Sequence, residues 1–147
     1  MNAMSEHIDA YAHIGLPRFV SVEQFLAVMD RHGIQKACVA VADTCPDIAE
    51  VSRAIVEHPQ RFRAVGVPSG ETFEEIRTSL VRQAECGFLG IRIFDRMLAE
   101  FPRLLDVMAE RNLVPWVVGG PALAPAADLL VSYLEGAADR LVVAPHF

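Results

Sequence analysis

A chain of 147 residues with 52% hydrophobic residues and a net charge of -6 suits one domain, residues 1–147, with a large buried core, and excludes a disordered or low-complexity protein. Acidic and basic residues are mixed without a basic run, which argues against nucleic acid or an anionic membrane as partner and leaves a small molecule or another protein. Every one of the 13 basic residues except Lys36 is arginine, so anion binding would rest on guanidinium forks.

The first strand-like run is IDAYAHIG, Ile8 to Gly15, in which Asp9, Tyr11 and His13 alternate and so share a face. Val22, Phe25, Leu26 and Met29 then follow at i, i+3, i+4 and i+7, with Ser21 and Gln24 as a capping box and Gly33 as the stop; this predicts a first helix. KACVAVAD predicts a second strand. A second helix is expected from Pro46 or Asp47 to His58, burying Ile48, Val51 and Ile55 ahead of Pro59. After the strand FRAVGV, Thr72 and Glu75 form another capping box, Phe73, Ile76 and Leu80 the stripe, and Gly87 the stop. The strand GIRIFD precedes a fourth helix burying Phe101, Leu104, Leu105 and Met108 and ending near Asn112. VPWVVGG precedes a fifth helix burying Leu129, Leu130, Tyr133 and Leu134 before Gly136, and RLVVAPHF is the sixth strand.

Six strands thus alternate with five helices at a spacing of about 26 residues, the length of one strand plus one helix in a parallel α/β fold. Val- and Ile-rich strands such as CVAVA need cover on both faces, as parallel sheets have. Pattern alone leaves two architectures, a doubly wound open sheet and a (β/α)8 barrel. HIGLPRF after the first strand is a poor phosphate cradle, and no G-x-G-x-x-G turn occurs there, which counts against the dinucleotide-binding version. Cys38, Cys45 and Cys86 have no metal-ligand spacing, no signal peptide opens the chain, and no apolar run reaches about 20 residues; the expectation is a soluble cytoplasmic protein with free thiols.

IDAYAHIG resembles the first strand of the amidohydrolase superfamily, in its amidohydrolase-2 branch, where an aspartate precedes a His-x-His pair and often a glycine. FLAVMDRHGIQKACVA, HPQRFRAVGVPS, GFLGIRIF, LLDVMAERNLVPWVV and DRLVVAPHF resemble successive segments of that branch in order, across nearly the whole chain. The resemblance implies a barrel-derived fold, here an incomplete (β/α)8 TIM-barrel-like one. It also implies a site at the carboxyl ends of the strands, where the His-x-His pair, histidines on the fifth and sixth strands and an aspartate on the eighth surround a divalent metal. Metal-bound water there attacks an amide, ester or lactone, or the metal assists a decarboxylation.

Against that pattern Tyr11 stands at the first histidine of the pair, Gly119 or Gly120 at the fifth-strand histidine, and Phe147 follows His146 directly. Of the ligands the resemblance implies, His13 and His146 remain. Two imidazoles do not hold catalytic zinc, which takes three protein ligands plus water. No cofactor is expected within one chain, with a divalent metal such as zinc conceivable only where a partner chain or a further segment supplies ligands. Some members of the superfamily hydrolyse lactones without metal.

The expected activity is hydrolysis of a small carboxylated amide, ester or lactone, or a related decarboxylation. The alternative is a non-catalytic binding or assembly protein that kept the fold. For catalysis, His13 is the candidate general base, with Tyr11 and Arg92 polarising the substrate carbonyl or holding its carboxylate. The plainer readings are a loop-bonded histidine, a buried tyrosine with a satisfied hydroxyl, and an arginine permanently paired, for example with Asp9. Arg18 in the loop after the first strand could bind an anion at the rim. Asp43 and Asp95 end strands, where a base or substrate contact fits and where helix caps are also common. Six strands cannot close an eight-strand barrel, so open edges predict either a homo-oligomer whose subunits cover each other's edges or a piece of a longer natural chain.

Overall fold

Strands and helices alternate along this chain, and the order in which the strands pair decides between the two architectures. In the computed structural model, which describes residues 6–43 and 48–145, five parallel strands form a sheet in the order β1-β2-β3-β4-β5, where β1 is Ile8–Ala12, β2 Lys36–Ala40, β3 Phe62–Gly66, β4 Gly90–Phe94 and β5 Val114–Val118. A doubly wound sheet reverses its order at a switch point, whereas an unbroken sequential order is that of a barrel. The fold class is an incomplete (β/α)8 barrel.

The residues divide into two compact units, one up to Ala64 and one from Val65. In the first, β1 pairs in parallel with β2 through Ile8 opposite Lys36 and Asp9 opposite Ala37, with an irregularity before Ala12 meets Val39. Helix α1, Val22–Arg31, starts at the expected capping box of Ser21 and Gln24, and Gly33 follows in the left-handed region at φ 66, where a residue without a side chain is least strained. Helix α2, Ile48–Glu57, has its amino-terminal approach, including Cys45, Pro46 and Asp47, outside the described residues. Val22, Met29, Val39, Val51, Ala54 and Phe62 are fully buried, and Phe25 stacks on Phe62 at 6.1 Å. The first turn of α1 is also tied to α2: the Val22 N–H, which no carbonyl of its own helix can satisfy, donates to Glu50 Oε1 at 2.9 Å.

In the second unit β4 pairs with β5 over five residues, Gly90 opposite Val114 to Phe94 opposite Val118. Helix α3, Phe73–Glu85, begins at the expected Thr72 and Glu75 capping box. Alternate strand residues Ile91, Ile93 and Val117 pack with Ile76, Leu80, Leu98, Leu104 and Met108 in one buried cluster, the period-two pattern that separates the two faces of a sheet.

Two expectations need revision. The single fourth helix is two: α4, Asp95–Glu100, and α5, Leu104–Glu110. The break falls at Phe101, whose φ of -124 and ψ of 67 are not helical, because the ring of Pro102 disfavours helical geometry at the residue before it. The sixth strand is reduced, among the described residues, to one parallel bridge between Val143 and Trp116, with Val117 N donating to Val143 O at 2.8 Å and Val143 N to Pro115 O at 2.9 Å. Between them run a 3-10 helix, Pro121–Ala126, and helix α6, Ala127–Glu135. Leu130 and Tyr133 of α6 are buried as expected, whereas Leu134 is 43% exposed. No helix among the described residues is long and apolar enough to cross a membrane.

Candidate functional site

In the first unit the site residues gather just past the carboxyl end of β1. Asp9 Oδ1 accepts the Tyr11 N–H at 3.0 Å, an acceptor inserted where the β1–β2 register is irregular. The Tyr11 ring meets His13 edge-on at 5.0 Å between centroids, and the Tyr11 hydroxyl is buried. His13 Nδ1 lies 2.7 Å from the carbonyl oxygen of Ala40, at the end of β2. A carbonyl only accepts, so Nδ1 carries the hydrogen, and the neutral ring presents Nε2 as an unprotonated acceptor.

Phe19 stacks on the imidazole at 5.0 Å between centroids. The loop brings it there by closing on itself: Gly15 N donates to Val20 O and Phe19 N to Gly15 O, both at 2.9 Å. Gly15 adopts φ 116, a conformation that favours glycine. The Arg18 guanidinium lies 5.3 Å from the Phe19 ring centre and is exposed, while Asp43 is exposed in the turn after β2. His13 thus contacts an edge-on tyrosine and a stacked phenylalanine, with an arginine over the phenylalanine. The Phe19 contact was not foreseen; an aromatic a few residues after a strand-end glycine was its signal.

Asp9 has a second neighbour. Burial, and then the charge of Asp9, push the Cys38 thiol up to about 11, so it is a protonated, unreactive thiol at neutral pH.

In the second unit Arg92 is half-buried on β4, opposite Trp116 in register, and its guanidinium lies 5.6 Å from the Phe94 ring centre. Gly90 lets Trp116 lie against β4, because a Cβ there would fall 2.9 Å from Trp116 Cδ1. Asp95, the first residue of α4, is only 2% exposed. Its Oδ1 accepts the Arg96 N–H at 2.7 Å, as a cap would, but its buried Oδ2 has no hydrogen-bond partner among the described residues. The carboxylate fits because Gly119 faces it: a Cβ at 119 would lie 2.1 Å from Oδ2. Sequence reasoning placed both residues at strand ends without pairing them.

The metal centre of the resembled family needs at least three ligands together. No group of three His, Cys, Asp or Glu side chains suited to a metal ion occurs among the described residues; His13 commits Nδ1 to Ala40, and His146 lies outside the described residues. The described residues alone do not supply that ligand set.

Solved structures share this fold. A probable 2-pyrone-4,6-dicarboxylic acid hydrolase from Acinetobacter baumannii, solved with citric acid bound, superposes with a TM-score of 0.63 at 18% identity over 94% of this chain and 56% of that one. An uncharacterized TIM-barrel protein from Bordetella bronchiseptica gives 0.60 at 15% identity over 83% of this chain and 50% of that one. The fold is that of a TIM barrel, in part. A proposed deoxyribose-phosphate aldolase from Coccidioides immitis gives 0.56 at 17% identity, covering 90% of this chain and 56% of its own. The chain therefore spans about half the length of the TIM-barrel structures it matches. At these identities the likeness concerns the fold, which hosts many chemistries. No protein-family model and no curated protein matches the chain.

Proposed function

We propose that this protein is an amidohydrolase-like enzyme that hydrolyses a small carboxylated ester, lactone or amide, with His13 as general base. The observation that carries the reading is the hydrogen bond from His13 Nδ1–H to Ala40 O, which leaves Nε2 able to take a proton at the strand end where barrel enzymes keep their chemistry. Nε2 accepts a proton from water as the water oxygen bonds to the substrate carbonyl carbon. The imidazolium then returns the proton to the leaving oxygen or nitrogen as the acyl bond breaks, so His13 ends as it began. Tyr11 and Phe19 fix the ring plane, and the exposed Arg18 receives the substrate carboxylate at the margin.

The test is a panel of carboxylated esters, lactones and amides offered to the wild-type protein and to His13→Ala. Loss of about 10²- to 10⁴-fold in kcat/KM is expected for removal of a general base. Activity unchanged in His13→Ala would overturn the assignment, and a wild-type protein inert on the whole panel would favour a binding or assembly role.

The same reading includes a homo-oligomer. β1 is the first strand of the sheet, and Ile8 on it is 58% exposed, an apolar edge of the kind that recruits a neighbour. Light scattering after size exclusion should give a multiple of the 16.1 kDa chain mass; a stable monomer would contradict it.

A further inference from the structure

We propose that α3, α5 and the segment after α6 form a binding cleft for a small zwitterion, a molecule whose carboxylate and ammonium groups are separated by several methylenes. The cleft, about 780 Å³, is lined by residues including Phe73, Arg103, Asp106, Glu110 and Arg140, a size that suits a small ligand. It lies wholly within the second unit and is independent of the hydrolase reading.

Two guanidiniums in it are held in place without being neutralised. Arg140 donates from Nη1 to Tyr133 O at 2.9 Å and lies over the Tyr133 ring, 4.7 Å from its centre. Gly136 makes that seat possible, since a Cβ there would fall 2.1 Å from Arg140 Nη1. Arg103 lies over Phe73 at 5.1 Å. Neither arginine is ion-paired among the described residues, whereas the third arginine of the cleft, Arg77, has Glu74 at 3.5 Å. Stacking on a ring immobilises a guanidinium while leaving in-plane N–H donors for a carboxylate. The ordering that an anion would otherwise impose is already in place.

The acids set the other half of the ligand. Asp106 and Glu110, one turn apart on α5, are exposed and also without an ion pair among the described residues. A simple anion would be opposed by these carboxylates and a simple cation by the arginines. Only a ligand carrying both charges satisfies both sets. Asp106 and Glu110 follow Arg103 by three and seven residues, roughly 4.5 and 10 Å of axial rise, which places acids and arginine at successive levels of the cleft and makes a ligand with its two charges several methylenes apart the probe of choice.

Calorimetric titration of the whole protein at low salt with 6-aminohexanoate, hexanoate and hexylamine tests this. Saturable binding of 6-aminohexanoate is expected, at least about tenfold tighter than either single-charge analogue, the size of one charge-assisted hydrogen bond. Arg140→Ala should weaken it, and Asp106→Asn, at an exposed position, should weaken it as well. Equal binding of hexanoate, no saturable binding of 6-aminohexanoate, or an affinity unchanged in Asp106→Asn would each overturn the proposal.

Discussion

His13 Nδ1 and the carbonyl oxygen of Ala40 lie 2.7 Å apart, so the end of β1 is tied to the end of β2 through an imidazole. This one bond does structural and chemical work that substitution can separate. Asparagine carries an N–H donor near the position of Nδ1 but nothing at Nε2. His13→Asn should therefore keep stability within about 0.5 kcal/mol of wild type, while His13→Ala loses about 1 kcal/mol, the net value of a typical hydrogen bond. Both should lose the hydrolytic activity. Urea titrations beside initial rates separate the two effects, and an active His13→Asn would contradict the assigned base.

Asp95 and Gly119 should behave as one unit. A methyl at position 119 meets the Asp95 carboxylate, and overpacking of a buried site costs about 1–3 kcal/mol. Gly119→Ala should be destabilising by that amount in the wild-type background and nearly harmless once Asp95→Ala has emptied the space. The coupling, about 0.5–3 kcal/mol for residues in contact, is read from a double-mutant cycle in chemical denaturation. Strict additivity would mean that the two do not face each other.

Cys38 and Cys86 should differ in reactivity. Burial and the Asp9 charge hold the Cys38 thiol up to about 11, while Cys86 is exposed. Alkylation followed by mass spectrometry should label Cys86 first at neutral pH, with the Cys38 rate climbing as pH rises toward its raised value, since the thiolate is the nucleophile. Asp9→Asn removes the smaller of the two causes and should speed Cys38 labelling modestly. Fast labelling of Cys38 at neutral pH would contradict the burial seen here.

Acid should loosen the α1–α2 contact. Hydrogen bonds first from Arg53, and also from the Val22 backbone, hold the Glu50 carboxyl below its ordinary value of 4.5. A folded value below the unfolded one means that the stabilisation is complete above about pH 4.5 and is lost as pH falls through the lowered folded value. Glu50→Ala removes the partner of an orphan helix N–H and should cost about 0.5–2 kcal/mol at neutral pH, with the gap from wild type closing in acid. A pH-independent gap would point to packing alone.

Local signals were the legible part of this sequence. The Ser21 and Thr72 capping boxes, the glycines after α1 and α3, and the strand-type run GIRIFD act within a few residues of themselves, and all appear where expected. The break of the fourth helix was written in Pro102 yet hidden by the apolar spacing of Phe101, Leu104, Leu105 and Met108, which two short helices satisfy as well as one. Strand order was not legible, because the repeat length is shared by open sheets and barrels. The site was half legible: a strand pattern puts Tyr11 and His13 on one face, but nothing local reports that Phe19 folds back onto the imidazole or that Gly119 opens a space for Asp95.

The most direct test of the account is the tautomer of His13, read from long-range ¹H–¹⁵N correlations of the imidazole at a pH where the ring is neutral. The account predicts a protonated Nδ1 donating to Ala40 and a Nε2 with the shift of an unprotonated nitrogen. A proton on Nε2 would remove the base from the proposed reaction and contradict the central claim.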